Sequence, residues 1–404
     1  MGTVQNKWLR KVNPDWKIVP SYLLFSDRQQ QCLPGDEHLT PSQKYGVVRQ
    51  SDFMETTGNR VVLNLSGANK MKHVEPGDFV IHLRSFQGGI EYSTLRGKVS
   101  NAYTVLSPSE DVHHDFFRWF MKSDLLISGL ETLTDQLRDG QTINFARFSR
   151  LSFPLPPLDT QRAIADYLDR ETGEIDAMLD KLNGLGRLLE ERRKNEITQS
   201  FLSENTAELW HFCEVNPVTP EFRSLTDGTQ VTFMPLETIW SDKRADFSRT
   251  IEWSKKVGSY TEFRSGDVLI PKITPTFEAG RSTVADIPLP IGLATTEVHI
   301  VRTRPERALS QWLSYAFQTS MFLKEGESVL QGVGNLRRIS PQWLQSFKVP
   351  ALSLDEQERI SQHLDETTAR IDAMLAKTQQ LKDLLTERRS ALITAAVTGQ
   401  IKVY

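Results

Sequence analysis

Residues 159–200 read DTQRAIADYLDRETGEIDAMLDKLNGLGRLLEERRKNEITQS, and residues 355–396 read DEQERISQHLDETTARIDAMLAKTQQLKDLLTERRSALITAA. Laid on each other at a constant offset of 196, without a gap, the two stretches agree at 20 of 42 positions. The shared residues include Gln161/Gln357, Ile164/Ile360, Leu168/Leu364, the run IDAML at 175–179 and 371–375, and Glu191-Arg192-Arg193 with its copy Glu387-Arg388-Arg389. This is an internal repeat, and the rest of the chain is organised around it.

The repeat has helical periodicity. Leu168, Ile175, Leu182 and Leu189 recur at every seventh residue, with Thr172 and Leu179 at the intervening steps, and Leu364, Ile371, Leu375, Leu385 and Leu392 follow in the second copy. Met178, Leu185 and Leu188, with Met374, Leu381 and Leu384 in the copy, widen the apolar stripe beyond a two-position seam, so each helix has more than one surface to cover. These six are the candidate subunit-binding residues. Ser353-Leu354-Asp355-Glu356 has the form of a capping box, and Pro154, Pro156, Pro157 and Pro350 block any element from running in from upstream. A helix of this length, roughly 63 Å at ~1.5 Å per residue, is longer than a small domain is wide.

With 404 residues and 39% hydrophobic residues, the chain has room for two or three ordinary domains with real cores. It contains no 18-residue apolar run, and residues 1–10 carry neither an apolar h-region nor a small-residue cleavage site, so a soluble, cytoplasmic protein without membrane contact is expected. Cys32 and Cys213 are too few and too far apart for a disulfide framework or a metal site. The net charge of −3 is set by the repeat, which contributes −3 and −2 in its two copies and leaves the remainder at +2. Charge therefore gives no positive support for a nucleic-acid partner, though a weakly basic face outside the helices fits it.

Residues 1–153 have a different texture. Strands are expected at 60–65, at 79–83 after the turn Glu75-Pro76-Gly77-Asp78, and at 103–106, and a helix is expected from Asp115 to Ser128 with Phe116, Phe117 and Phe120 on it. Residues 203–349 repeat that plan loosely. FRSGDVLI at 263–270 answers 74–81, VHIV at 298–301 answers 103–106, the aromatic helix 311–323 answers 115–128, and a glycine loop at 331–334 precedes Pro350. The expected architecture is α+β. A first globular domain (1–153) precedes a long helix (154–202), and a second domain (203–349) precedes a second long helix (350–404). Packing the stripes together makes the helices antiparallel, with a pseudo-two-fold relating the halves and Tyr404 returning near the first domain.

Enzyme signatures are missing from this sequence: no GxxxxGK[ST], HExxH or GxSxG occurs, and Gly332-Val333-Gly334 lacks a third glycine at dinucleotide spacing. Asn13-Pro14-Asp15-Trp16 approaches the Asn-Pro-Pro-aromatic motif of amino-methyltransferases but has Asp in place of the second proline and no glycine-rich methyl-donor loop beside it. His113-His114 has no third ligand at metal spacing and fits a solvated helix start. No catalytic residue, metal or cofactor is assigned to the chain.

LPPLDTQ at 155–161 and VPALSLDEQ at 349–357 resemble the proline-leucine-glutamine entry to the helices of type I restriction-modification specificity subunits, as do the IDAML runs, the Glu-Arg-Arg triplets and the closing AVTGQI at 396–401. Pro76-Gly77-Asp78 and Ser265-Gly266-Asp267 resemble the Gly-Asp turn of that family's target recognition domains. The resemblance implies that each globular domain reads one half of a bipartite DNA sequence and that the paired helices set the gap, at most about 18 base pairs for a rod of about 63 Å. It also implies that the helices dock two modification subunits, which would carry S-adenosylmethionine and the chemistry, and that restriction subunits join that assembly. A rival reading from another class is a coiled-coil scaffold whose two modules bind something other than DNA.

Base readout calls for polar and basic side chains on loops that reach groove edges. In the first domain these are Asn69, Lys70, Lys72, Arg84, Ser85 and Gln87, with Gly88-Gly89 allowing close backbone approach. In the second they are Lys272, Thr274, Thr276 and Arg281 after the Ile270 strand, and Asn335, Arg337 and Arg338 in the glycine loop. The Glu-Arg-Arg triplets fit either an exposed, salt-bridged helix face or a contact to a subunit or to phosphate.

Overall fold

The computed structural model describes residues 7–58, 71–83, 85–131, 143–240, 244–255, 260–334 and 336–403. The expected strand at 60–65 lies outside them. The long helices span Leu158–Gln199 and Leu354–Val397. The chain divides into two compact units, Met1–Leu182 with Gln380–Tyr404, and Asn183–Gln379, so that each long helix gives one half to each unit.

In the first unit a four-stranded antiparallel sheet has the order Phe25–Asp27, Thr104–Pro108, Phe79–Ile81, Glu91–Tyr92. In the second unit the order is Cys213–Val215, Val298–Thr303, Val268–Pro271, Thr283–Val284. The two sheets have the same connectivity, which realises the weak match of 74–81 with 263–270. The surroundings differ. The first module adds a hairpin (Leu39–Ser42 with Gly46–Arg49) and the pair Lys72–Val74 with Gly97–Val99. The second adds a separate four-stranded sheet with one parallel pairing, Gln230–Met234 beside Ile291–Ala294.

The Gly-Asp turn is built alike in both modules. Asp78 accepts the Glu75 amide at 2.8 Å and a two-pronged pair from Arg28 at 2.7 and 2.9 Å; Asp267 accepts the Arg264 amide at 2.9 Å and a pair from Arg302 at 2.7 and 2.8 Å. Both carboxylates are buried, and each raises its arginine's pKa through these hydrogen bonds. A bidentate partner and a backbone donor offset the desolvation of such a buried charge.

The aromatic segments depart from expectation. Each is two helices, His114–Phe120 and Asp124–Glu131 in the first module, Ser310–Ala316 and Ser320–Ser328 in the second. The Ser123 hydroxyl accepts the Leu126 amide at 3.3 Å and the Thr319 hydroxyl accepts the Phe322 amide at 3.2 Å, so a hydroxyl cap restarts the helix at each break. Phe25, Phe116, Phe117, Phe120, Phe148 and Phe153 fill the first core, largely edge to face, together with Ile164 and Leu168 from the first helix and Ile393 and Val397 from the second. In the second core, Trp312, Phe317 and Phe322 meet Ile197, Phe201 and Leu364.

Both helix starts are pinned by a fully buried glutamine. Gln161 accepts the His113 amide at 2.8 Å and donates to the carbonyls of Asp111 and Pro156; Gln357 accepts the Leu309 amide at 3.0 Å and donates to Arg307 and Leu352. The capping box also forms, with the Ser353 amide donating to Glu356 at 2.9 Å and the Glu356 amide to the Ser353 hydroxyl at 3.4 Å. At the far end of the second helix the chain returns to the first module: the Asn13 amide donates to the Thr398 carbonyl at 2.7 Å. Gly399, at φ +70°, lies so close to Asn13 and Trp16 that an added Cβ would sit 2.7 Å from both. The Asn-Pro-Asp-Trp segment therefore serves as the seat of the C-terminal turn.

Candidate nucleic-acid interface

In the first module the strand Phe79–Ile81 leads into a short helix, Ser85–Gly88. Asn69, Lys70 and Arg84 lie outside the described residues. Gln87 is exposed as expected. Ser85 is not available: it is fully buried and its hydroxyl accepts the His82 amide at 2.9 Å. Lys72 is largely covered and faces Asp27 at 3.8 Å. The glycines also have another purpose. A Cβ on Gly88 would meet the Gln43 side chain at 2.6 Å, and one on Gly89, at φ +82°, would collide with the Met121 carbonyl. The close approach is made by the protein to itself, and Lys122 ties the segment down by donating to the Gly88 carbonyl at 3.0 Å and to Glu91.

In the second module the two candidate loops are knitted together. The Thr274 amide donates to the Arg337 carbonyl at 2.9 Å, the Arg337 amide to the Thr274 hydroxyl at 3.2 Å, and the Ile339 amide to the Lys272 carbonyl at 3.0 Å. Lys272, Thr274, Arg337 and Arg338 are thus one site, although Thr274 is buried in holding it. Thr276 is half-buried, and Arg281 turns inward to donate to the Ile239 carbonyl at 3.1 Å. Asn335 lies outside the described residues.

The arginines of this site are already engaged. Arg338 donates to both oxygens of Glu297 at 2.7 and 2.9 Å, and Arg337 donates to Glu278 at 3.2 Å. The Arg338 hydrogen bond holds the Glu297 carboxyl below the usual range. Beneath them His299 is buried and its pKa is pushed down to about 4, chiefly by loss of water. Its Nε2 donates to the Ile339 carbonyl at 3.1 Å. The Asn216 oxygen accepts the Ile300 amide at 3.0 Å, which turns the Asn216 Nδ2 towards His299 Nδ1 at 3.0 Å. A neutral imidazole with one donor and one acceptor satisfies both contacts. The sequence reading missed what projects from the site: Val333 is 88% exposed and Leu336 61%.

The six helix residues stand clear of the cores, and the two copies match. Met178 and Met374 are 51% and 52% exposed, Leu185 and Leu381 44% and 46%, Leu188 and Leu384 65% and 62%. Met178 shares its unit with Leu381 and Leu384, and Met374 shares the other with Leu185 and Leu188. No described helix is long and apolar enough to cross a membrane.

Comparison with known proteins agrees with this construction. Residues 28–198 match the family model described as type I restriction modification DNA specificity domain. The specificity subunit of the type I restriction enzyme EcoAI from Escherichia coli is 31% identical over 147 residues, which is 35% of this chain and 25% of that protein; the match spans a quarter of that relative's length. A chain from a structure concerned with complex assembly and conformational transition of the type I restriction-modification system has the same fold, at TM-score 0.70 and 16% identity over 96% of this chain and 99% of that one. The HsdS subunit from Thermoanaerobacter tengcongensis is similar at TM-score 0.56 and 16% identity, over 96% and 98% of the two chains. Residues 28–198 thus match the DNA specificity domain of type I restriction-modification systems, and the whole chain shares the fold of the HsdS subunit.

Proposed function

We propose that this chain is the non-catalytic, DNA-reading component of a type I restriction-modification complex, in which each module reads one half of a split target and the long helices fix the gap between the halves. The observation that carries the reading is the duplicated module: one sheet order and one Gly-Asp turn locked by arginine, each followed by a helix pinned through a buried glutamine. A chain that repeats its reading unit suits a duplex contacted at two places. Gln87 in the first module and the joined loops around Lys272 and Arg337 in the second would face the DNA. Phosphate contacts would supply much of the affinity and base contacts the sequence preference.

The same proposal assigns Met178, Leu185, Leu188, Met374, Leu381 and Leu384 to two modification subunits, which would bring the methyl donor and the chemistry, with restriction subunits joining that assembly. The equal exposure of each residue and its copy supports a partner bound twice in one manner. Selection from a pool of random duplexes by the chain reconstituted with its modification subunits tests the reading. A split sequence with a fixed gap is expected, and a pool without enrichment would refute it.

A further inference from the structure

The loop at the head of the second module presents apolar side chains where the sequence suggested cations. Gln331 and Arg338 exchange both backbone hydrogen bonds, at 2.9 and 2.8 Å, and close the loop at its base. Above that base Gly332 (φ +132°) and Gly334 (φ +61°) take backbone conformations that favour glycine, and the Leu336 amide donates to the Val333 carbonyl at 3.3 Å. Val333 and Leu336 are exposed on a loop held from below by Glu297, Glu278 and Thr274. Scattered exposed apolar residues need no explanation, but two within four positions on a pinned loop do.

We infer that Val333 and Leu336 are specificity-determining contacts that read the C5-methyl group of thymine in the half-site recognised by the second module, an inference that rests on the DNA reading above. The Val333 and Leu336 side chains have neither donor nor acceptor, so they distinguish bases only through an apolar group, and on the major-groove floor that group is the thymine methyl. Both arginine guanidinium groups beneath the tip have carboxylate partners, and Arg338 also donates to the Leu336 carbonyl at 2.9 Å, so these arginines hold the loop in place. Valine is short and branched at Cβ, which fits lying against a methyl better than entering the base stack.

The test uses the full chain with its modification subunits and the duplex they select, with each thymine replaced in turn by deoxyuridine, which removes only the methyl. In the half-site that changes when residues 203–349 are exchanged, one or two replacements should weaken binding about fivefold to tenfold. The double variant Val333→Ala, Leu336→Ala should bind the thymine duplex more weakly by a similar factor and lose the deoxyuridine penalty, while the other half-site keeps its preferences and the melting temperature is unchanged. Absence of any methyl-sensitive thymine in that half, or a penalty that persists in the double variant, overturns the inference and leaves the DNA reading intact. Base unstacking at the same position, seen as a rise in 2-aminopurine fluorescence without methyl sensitivity, also overturns it. A pool that yields no split sequence overturns the DNA reading, and this inference with it.

Discussion

The Arg389 guanidinium donates to both carboxylate oxygens of Asp176, at 2.9 and 3.2 Å. Arg193, its copy in the first helix, faces Asp372, the copy of Asp176, at 3.4 Å. The two units thus hold the same pair with the roles of the two helices exchanged. The last arginine of each Glu-Arg-Arg triplet is therefore an interhelical partner, partly buried and not on the exposed helix face that the first of the two readings described. The arginine before it in the first copy, Arg192, is exposed and pairs within its own helix with Glu196 at 3.5 Å.

Because Asp176 and Arg389 are both partly exposed, their pair sets register more than it stabilises. A double-mutant cycle on Asp176→Ala and Arg389→Ala should give a coupling of about 1 kcal/mol or less, shrinking in high salt. The buried pair is different: Asp78→Ala, which leaves Arg28 without its carboxylate, should cost roughly 3–5 kcal/mol in urea unfolding.

The buried glutamines should behave as equivalents. Gln161→Ala and Gln357→Ala each strip one acceptor from a backbone amide and two donors from backbone carbonyls, so each should destabilise by about 2–4 kcal/mol. A large loss for one and none for the other in thermal melts would contradict the equivalence.

How much of this was legible depended on range. The long helices could be read because apolar spacing repeats over 42 residues, and the central strands because a Gly-Asp turn marks each. The breaks at Ser123 and Thr319 were obscured because aromatic residues continue through them, and the cap is a hydroxyl like many others in the chain. That Arg337 and Arg338 are matched by Glu278 and Glu297 was invisible, since those partners lie 59 and 41 residues away. Gly88 and Gly89 read as allowing the backbone to approach DNA closely, but it is the tertiary neighbours Gln43 and Met121 that exclude a side chain there.

Acid should weaken the second module through His299. Its pKa is lowered from 6.5 to about 4, so below pH 6.5 the unfolded chain takes up a proton that the folded module refuses. The contribution is complete above pH 6.5 and lost as pH falls towards 4, amounting to about 3 kcal/mol at the lower end. Urea melts at pH 7 and pH 4.5 should show this loss in the native chain and a smaller one in His299→Gln.

Polar replacement of one exposed set, Met178→Ser with Leu381→Ser and Leu384→Ser, should leave the melting temperature of the isolated chain nearly unchanged and weaken binding of a modification subunit at least tenfold, read by titration of the purified subunits. Unchanged affinity would remove these residues from the docking surface.

Inserting one or two helical turns into either long helix should change the gap between half-sites and keep their bases, as read from the selected sequences; an unaltered gap would count against the helices as a ruler.

The most direct test of modular reading is exchange of residues 203–349 for the corresponding module of a relative, followed by selection of binding sites by the reconstituted complex. The account predicts that one half-site changes while the other half and the gap stay as they were. A change in both halves would contradict it.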